Sequence, residues 1–184
     1  MNREEALALL KRYLSNDNLI KHSLAVEEAM RSMAKHFGED QEQWGLAGLL
    51  HDIDYEQTKD NPGDHSLIGA EIVLQNGVDI KIVEAIKTHN QIHGVEPQGL
   101  MAQALFCLDP LTGLIVASAL VLPTRKLSDL TVDSLEKRFR EKSFARGADR
   151  EIINQCHNRL GLELKEFMAI ALSGMQGIAS SLGL

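Results

Sequence analysis

Apolar residues recur along most of the chain at helical spacing. Between Glu4 and Leu14 they fall at Ala6, Leu9, Leu10 and Tyr13, one face of a 3.6-residue repeat, which predicts an amphipathic helix. Asn16-Asp17-Asn18 breaks the pattern with residues that cap helices. The stripe Leu24, Ala25, Ala29, Met33, Phe37 predicts a second helix from about Leu19 to Phe37, stopped by Gly38. A third is expected from about Asp40 to His51, ending in the apolar run Leu46 to Leu50. Tyr55 to Gly63 is polar and carries Asn-Pro-Gly, so it reads as a loop.

Asp64 is expected to cap a helix from about His65 to Gln75, and Asp79 another from Ile80 to His89. A loop with Gly94, Pro97 and Gly99 follows. Two apolar helices are expected over Leu100–Leu108 and Leu111–Leu122, separated at Asp109-Pro110. Thr131 or Asp133 starts a charged helix to about Lys142. Ala148–Leu160 and Leu162–Leu182 complete the chain. No segment alternates like a strand. The expectation is an all-α, single-domain multi-helix bundle of nine or ten helices over residues 1–184.

Composition agrees. Apolar residues make up 44% and aromatics only 4% of 184 residues, so aliphatic side chains must build the core. Net charge is −7, which argues against a broad basic surface for duplex nucleic acid. Cys107 and Cys156 lack metal or redox spacing and suit a reducing compartment. The charged start, Met1-Asn-Arg-Glu-Glu, has no apolar leader core. The longest apolar run, Leu114 to Leu122, is too short to span a bilayer. A cytoplasmic protein without membrane contact is expected.

The chemistry-bearing residues stand in unusual places. His51-Asp52 ends a strongly apolar helix, and Asp109 lies between two apolar segments. Buried charges need partners or a metal. Singly, each has an ordinary reading: His51 as a helix C-cap on the dipole, Asp52 and Asp109 as N-caps. With His22 on a preceding helix and His89 at another helix end, convergence on one centre is the better account.

The ordered set His22 … His51-Asp52 … Asp109 resembles the signature of the HD-domain metal-dependent phosphohydrolases. Its flanks match too: Gly48-Leu49-Leu50 before the pair, His65-Ser66-Leu67-Ile68-Gly69-Ala70 after it, and the Ile82–His89 segment delivering a further histidine. The resemblance covers a core of about residues 19–123 and leaves 124–184 as a helical extension. It implies that His22, His51, Asp52 and Asp109 ligate a divalent metal (Fe, Mn, Co, Ni, Zn or Mg), with His51 and Asp52 central to catalysis. It further implies that His65 and His89 sit where a second ion would be held. The nearest likeness in motif is to bacterial HD proteins that cleave dinucleoside tetraphosphates. His89-Asn90-Gln91 departs from the cyclic-dinucleotide phosphodiesterase branch.

The implied activity is hydrolysis of a nucleotide or small phosphate ester by metal-activated water, with a small phosphorylated molecule, and no duplex nucleic acid, as partner. A di-iron oxygenase and a non-catalytic nucleotide-binding module are the alternatives. Lys59 and Arg125 are the candidate cations for the substrate. His36 and His157 read as ordinary surface residues, His93 as a loop residue and Asp54 as a turn carboxylate. Glu136 to Gly147 alternates charge and reads as a solvated face.

Overall fold

The computed structural model describes residues 1–184 as helices and connecting turns, without strands. The helices are α1 (Arg3–Tyr13), α2 (Asp17–Phe37), α3 (Gln41–Leu50), α4 (Tyr55–Thr58), α5 (Leu67–Gln75) and α6 (Ile80–Thr88). They continue with α7 (Gly99–Leu120), α8 (Val132–Arg140), α9 (Arg150–Asn154), α10 (Cys156–Leu160), α11 (Leu164–Gly177) and α12 (Ala179–Leu182). The all-α expectation holds.

The caps follow the sequence chemistry. Asn2 accepts from Glu5 N while Glu5 reaches back to the Asn2 N–H, closing a capping box on α1. Asn16, Asp40, Asp79, Thr131 and Asp149 each accept a backbone N–H at the start of a helix. Gly38 ends α2 at φ 72°, a left-handed conformation in which glycine carries no Cβ penalty.

One apolar core joins these helices, and α2 runs through it against α3, α7 and α11. A Cβ on Gly48 would meet the Val26 carbonyl oxygen at 2.7 Å. Glycine there lets α3 lie against the α2 backbone, and that close approach brings the end of α3 beside His22. A second buried feature ties α1, α2 and α3 together. Glu27 is fully buried on α2 and accepts from Arg3 at 2.6 and 2.9 Å and from Arg31 at 3.3 Å. Arg31 also donates to Glu42 at 2.6 Å.

The structure departs from expectation in five places. The segments on either side of Asp109-Pro110 form one helix, α7, with Pro110 inside it. An interior proline costs about 3 kcal/mol. Burying Leu105, Leu108, Leu111, Leu114 and Ile115 on both sides of it is worth about 1.5–3 kcal/mol each, so continuity wins. At 22 residues, α7 is long and apolar enough to cross a membrane by length and composition, which revises the reading from the apolar run alone. Here it packs in the bundle with Asp109 at mid-length. The Tyr55–Gly63 loop contains the single turn α4. Each of the last two expected helices is broken, at Gln155 and at Ile178. Finally, α5 begins after Ser66, which takes a left-handed φ of 71° in place of an Asp64 cap.

Candidate metal centre

Six separate positions in the chain deliver the site. His22 projects from α2, His51 caps α3, and Asp52 lies in the turn that follows. His65 precedes α5, His89 caps α6, and Asp109 stands mid-way along α7. The Asp52 carboxylate is at the middle. Its Oδ2 lies 3.6 Å from His22 Nε2 and 3.4 Å from His51 Nε2, and its Oδ1 lies 3.2 Å from His65 Nε2 and 3.4 Å from His89 Nε2. Asp109 Oδ1 closes the first side, 2.9 Å from His22 Nε2 and 3.6 Å from His51 Nε2. The rings of His22 and His51, His51 and His89, and His65 and His89 stand edge to face, 5.0–5.1 Å apart.

The outer atoms of these rings are held. His51 Nδ1–H donates to the Gly48 carbonyl at 2.8 Å and His89 Nδ1–H to the Ile86 carbonyl at 2.6 Å. His65 Nδ1–H donates to Asp54 at 2.8 Å. Asp54 is fully buried and also accepts from the backbone N–H of Ser66 (2.8 Å) and Gly69 (2.7 Å). A Cβ on Gly69 would lie 3.1 Å from the Asp54 carboxyl carbon, tighter than ordinary contact. Asp54 therefore anchors the left-handed turn at Ser66 and aims His65 Nε2 at Asp52. The Ser66 hydroxyl donates to the Lys87 carbonyl at 3.0 Å, and Asn90 and His93 both donate to the His65 carbonyl, at 3.2 and 2.7 Å.

The electrostatics follow from two carboxylates among four imidazoles. Burial disfavours a charged His51, but Asp52 and Asp109 outweigh it and hold the imidazole well above its ordinary range. Burial likewise opposes ionisation of Asp52 and Asp109. The neighbouring histidines overcome it and hold both carboxyls below their ordinary range. For His65, burial is again outweighed by Asp52 and Asp54, and its pKa is pushed up to about 9.

The donors suit a divalent cation. His51 Nε2 and His89 Nε2 are buried without a hydrogen-bond partner. With Nδ1–H committed to a carbonyl, each turns its Nε2 toward an anionic oxygen, an arrangement that calls for positive charge between them. Donors around an ion at roughly 2.1 Å lie roughly 3.0–3.4 Å apart, close to the separations seen here. Two overlapping sets, His22–His51–Asp109 and His51–Asp52–His89, each keep their candidate donor atoms within 4.8 Å of one another.

All six ligand candidates read from the sequence thus converge. Lys59 is exposed and lines a small cavity with Tyr55, Thr58, Pro62 and His65. Arg125 is not brought to the cluster. It sits exposed on the turn after α7, with a left-handed φ of 53°; the end of α7 lies roughly 16 Å along the axis from Asp109. His36 and His157 are exposed, as expected. The turn reading understated Asp54, and nothing in the sequence marked Asn90 and His93 as the holders of His65. The alternation of Asp54 with Asp52, with a glycine at 69 to make room, is the signal that could have found the first. A cavity of about 220 Å³ opens onto the centre, lined by His65, His89 and Asp109 and also by Gly147, Asp149 and Ile152. A larger one, about 530 Å³, lies near Trp44 and Leu100 and holds none of the ligands.

The HD domain family matches residues 19–114. Among curated proteins, the chain is 33% identical over 98 residues to Ribonuclease Y of Oleidesulfovibrio alaskensis, covering 53% of this chain and 18% of that one. It is 31% identical over 139 residues to Ribonuclease Y of a Sulfurovum species (73% and 27%) and 31% over 140 residues to that of Geobacter sulfurreducens (74% and 26%). The matches thus span between about a fifth and a quarter of those relatives' length. No solved structure matches the chain. The relatives' name, a ribonuclease, overturns the expectation of a small phosphorylated molecule as partner. The net-charge argument concerns a broad duplex surface and does not bear on a strand held in one groove, which needs cations only along its own path. The match over more than half the chain, on residues that the fold gathers around Asp52, makes this protein a member of the HD-domain family.

Proposed function

We propose that this protein is a metal-dependent phosphohydrolase that cleaves phosphodiester bonds of single-stranded RNA. The observation that carries the reading is the two-sided use of Asp52. One carboxylate oxygen faces His22 and His51 and the other faces His65 and His89, with Asp109 completing the first side. Divalent ions held by these six residues would polarise phosphoryl oxygens and bring the pKa of water toward neutrality.

The remaining work belongs to the chain. Asp52 is held below its ordinary pKa range by the imidazoles around it. With one oxygen toward each pair of histidines, it would help hold divalent ions and orient what binds beside them. Asp54 fixes the His65 ring. Beside His65, the exposed ring of Tyr55 stands edge-on at 5.5 Å, and Lys59 lines the same small cavity. An aromatic surface next to a cation is what one nucleotide unit needs, the base for stacking and the phosphate for charge. The ribonuclease relatives support the choice of RNA among phosphate esters.

The test is elemental analysis of the purified protein, together with cleavage of a single-stranded oligoribonucleotide with and without chelator. Bound divalent metal and chelator-sensitive cleavage are expected. Cleavage that survives complete metal removal, or a metal-loaded protein that leaves RNA intact, would overturn the reading.

A further inference from the structure

The second wall of the pocket comes from outside the family match. The mixed-charge stretch ending at Gly147 reads as a solvated face, yet the loop it leads into is closed around one side chain. The Arg150 guanidinium donates to four backbone carbonyls: Phe139 at 3.3 Å, Phe144 and Ala145 at 2.6 Å, and Ala148 at 2.5 Å. Asp149 fixes the end of the loop. One of its oxygens accepts from Glu151 N and Ile152 N, and the other meets Gln91 Nε2 at 3.5 Å. The result places Gly147, Asp149 and Ile152 in the lining of the cavity that His65, His89 and Asp109 also line.

Two carboxylates, Asp109 and Asp149, line this cavity, so a polyanion entering it needs a cation nearby. Arg138, Arg140 and Arg159 are paired with Glu141, Glu136 and Glu96. Arg146 is exposed, makes no ion pair, and precedes the wall residue Gly147.

We propose that residues 141–152 form a substrate-binding wall, in which Arg146 contacts a backbone phosphate adjacent to the scissile one and Arg150 is the positioning residue that holds the loop in place. This rests on the RNA reading above and adds a binding site beyond the matched residues 19–114.

The test uses the full chain and a fluorescent single-stranded oligoribonucleotide. Binding is followed by anisotropy in chelator across a salt series, and cleavage is followed separately with metal. Arg146→Gln should weaken binding about tenfold at low salt and reduce the slope of log affinity against log salt by about 0.7–1, the signature of one lost phosphate contact. In cleavage the loss should fall on KM rather than kcat. Arg150→Lys offers three donors from a point and cannot reach four carbonyls. It should lose binding to the same degree with Arg146 intact, and the double variant should lose little more. Lys165→Gln, on the exposed pair with Asp133, should bind as the unaltered protein does.

Wild-type affinity and salt slope in Arg146→Gln would overturn the proposal. That variant alters an exposed side chain, so it decides the matter even if Arg150→Lys fails to fold. Arg146-dependent binding without cleavage would sink the RNA-cleavage reading and leave the wall standing. Cleavage unaffected by either variant would do the reverse, and neither binding nor cleavage would remove both.

Discussion

Two groups of buried charge meet α2 within two turns of each other, at His22 and at Glu27, and they are built differently. Around Glu27, one carboxylate meets Arg3 and Arg31, and Arg31 also meets Glu42, so every charged group has a hydrogen-bonded partner of opposite sign. Around Asp52, two carboxylates meet four imidazoles that can be neutral, and two Nε2 atoms face carboxylate oxygens without making a hydrogen bond. The first cluster is complete as it stands and ties three helices together. The second is complete only with added positive charge, from protons or from metal ions. Satisfaction of hydrogen bonds, rather than burial or charge, separates a structural ion pair from a site.

The comparison breaks most decisively at Asp52. Asp52→Ala should remove bound metal and lower RNA cleavage by more than the roughly 10²–10³ that loss of a single electrostatic contact costs. Helical circular dichroism should persist, because the ligand side chains are not what packs the helices. Full metal occupancy in that variant, by elemental analysis, would refute the assignment.

Glu27→Gln should do the opposite. It leaves Arg31 short of a buried partner and should cost about 3 kcal/mol of stability in denaturant unfolding, somewhat less than for a fully buried trio because Arg3 is 42% exposed. Metal content should not change. Metal loss in Glu27→Gln would show that the two clusters are not separate.

Asp54→Asn sharpens the second cluster. An amide replaces one of the two oxygens that accept from His65, Ser66 and Gly69, so His65 loses its fixed aim. Affinity for one ion should fall about 10–100-fold, read as a weaker second step in a metal titration.

The smallest effect is in pH. In metal-free protein the folded-state pKa of His65 is about 9, above its ordinary 6.5. Its contribution to stability is therefore complete below about pH 6.5 and is lost as pH rises through 9. Metal binding competes with those protons and strengthens over the same range. The gap in melting temperature between loaded and chelated protein should widen from pH 6.5 to 9. A gap that narrows would contradict the proton-for-metal exchange.

Much of this was legible in the chain itself. His22, His51-Asp52 and Asp109 carry an ordered pattern, and the flanks of His65 and His89 place them in it. The helices around them follow from apolar spacing and caps. What could not be read depends on partners distant in sequence. Pro110 looks like a boundary until the burial on both sides of it is known. Asp54 resembles any turn carboxylate until Gly69 and Ser66 fold onto it. Arg150 stands between Asp149 and Glu151 near the start of an expected helix, and nothing local says that its guanidinium points at carbonyls rather than at water.

That guanidinium holds its loop through main-chain oxygens alone. Phe144 and Ala145 pack inward against the core, while the exposed Lys142, Ser143 and Arg146 are not what keeps the loop shut and are free to change identity without loosening it. A scaffold arranged this way can exchange the surface it shows to an incoming strand while the chemistry beneath stays untouched, much as a tool changes its bit and keeps its chuck.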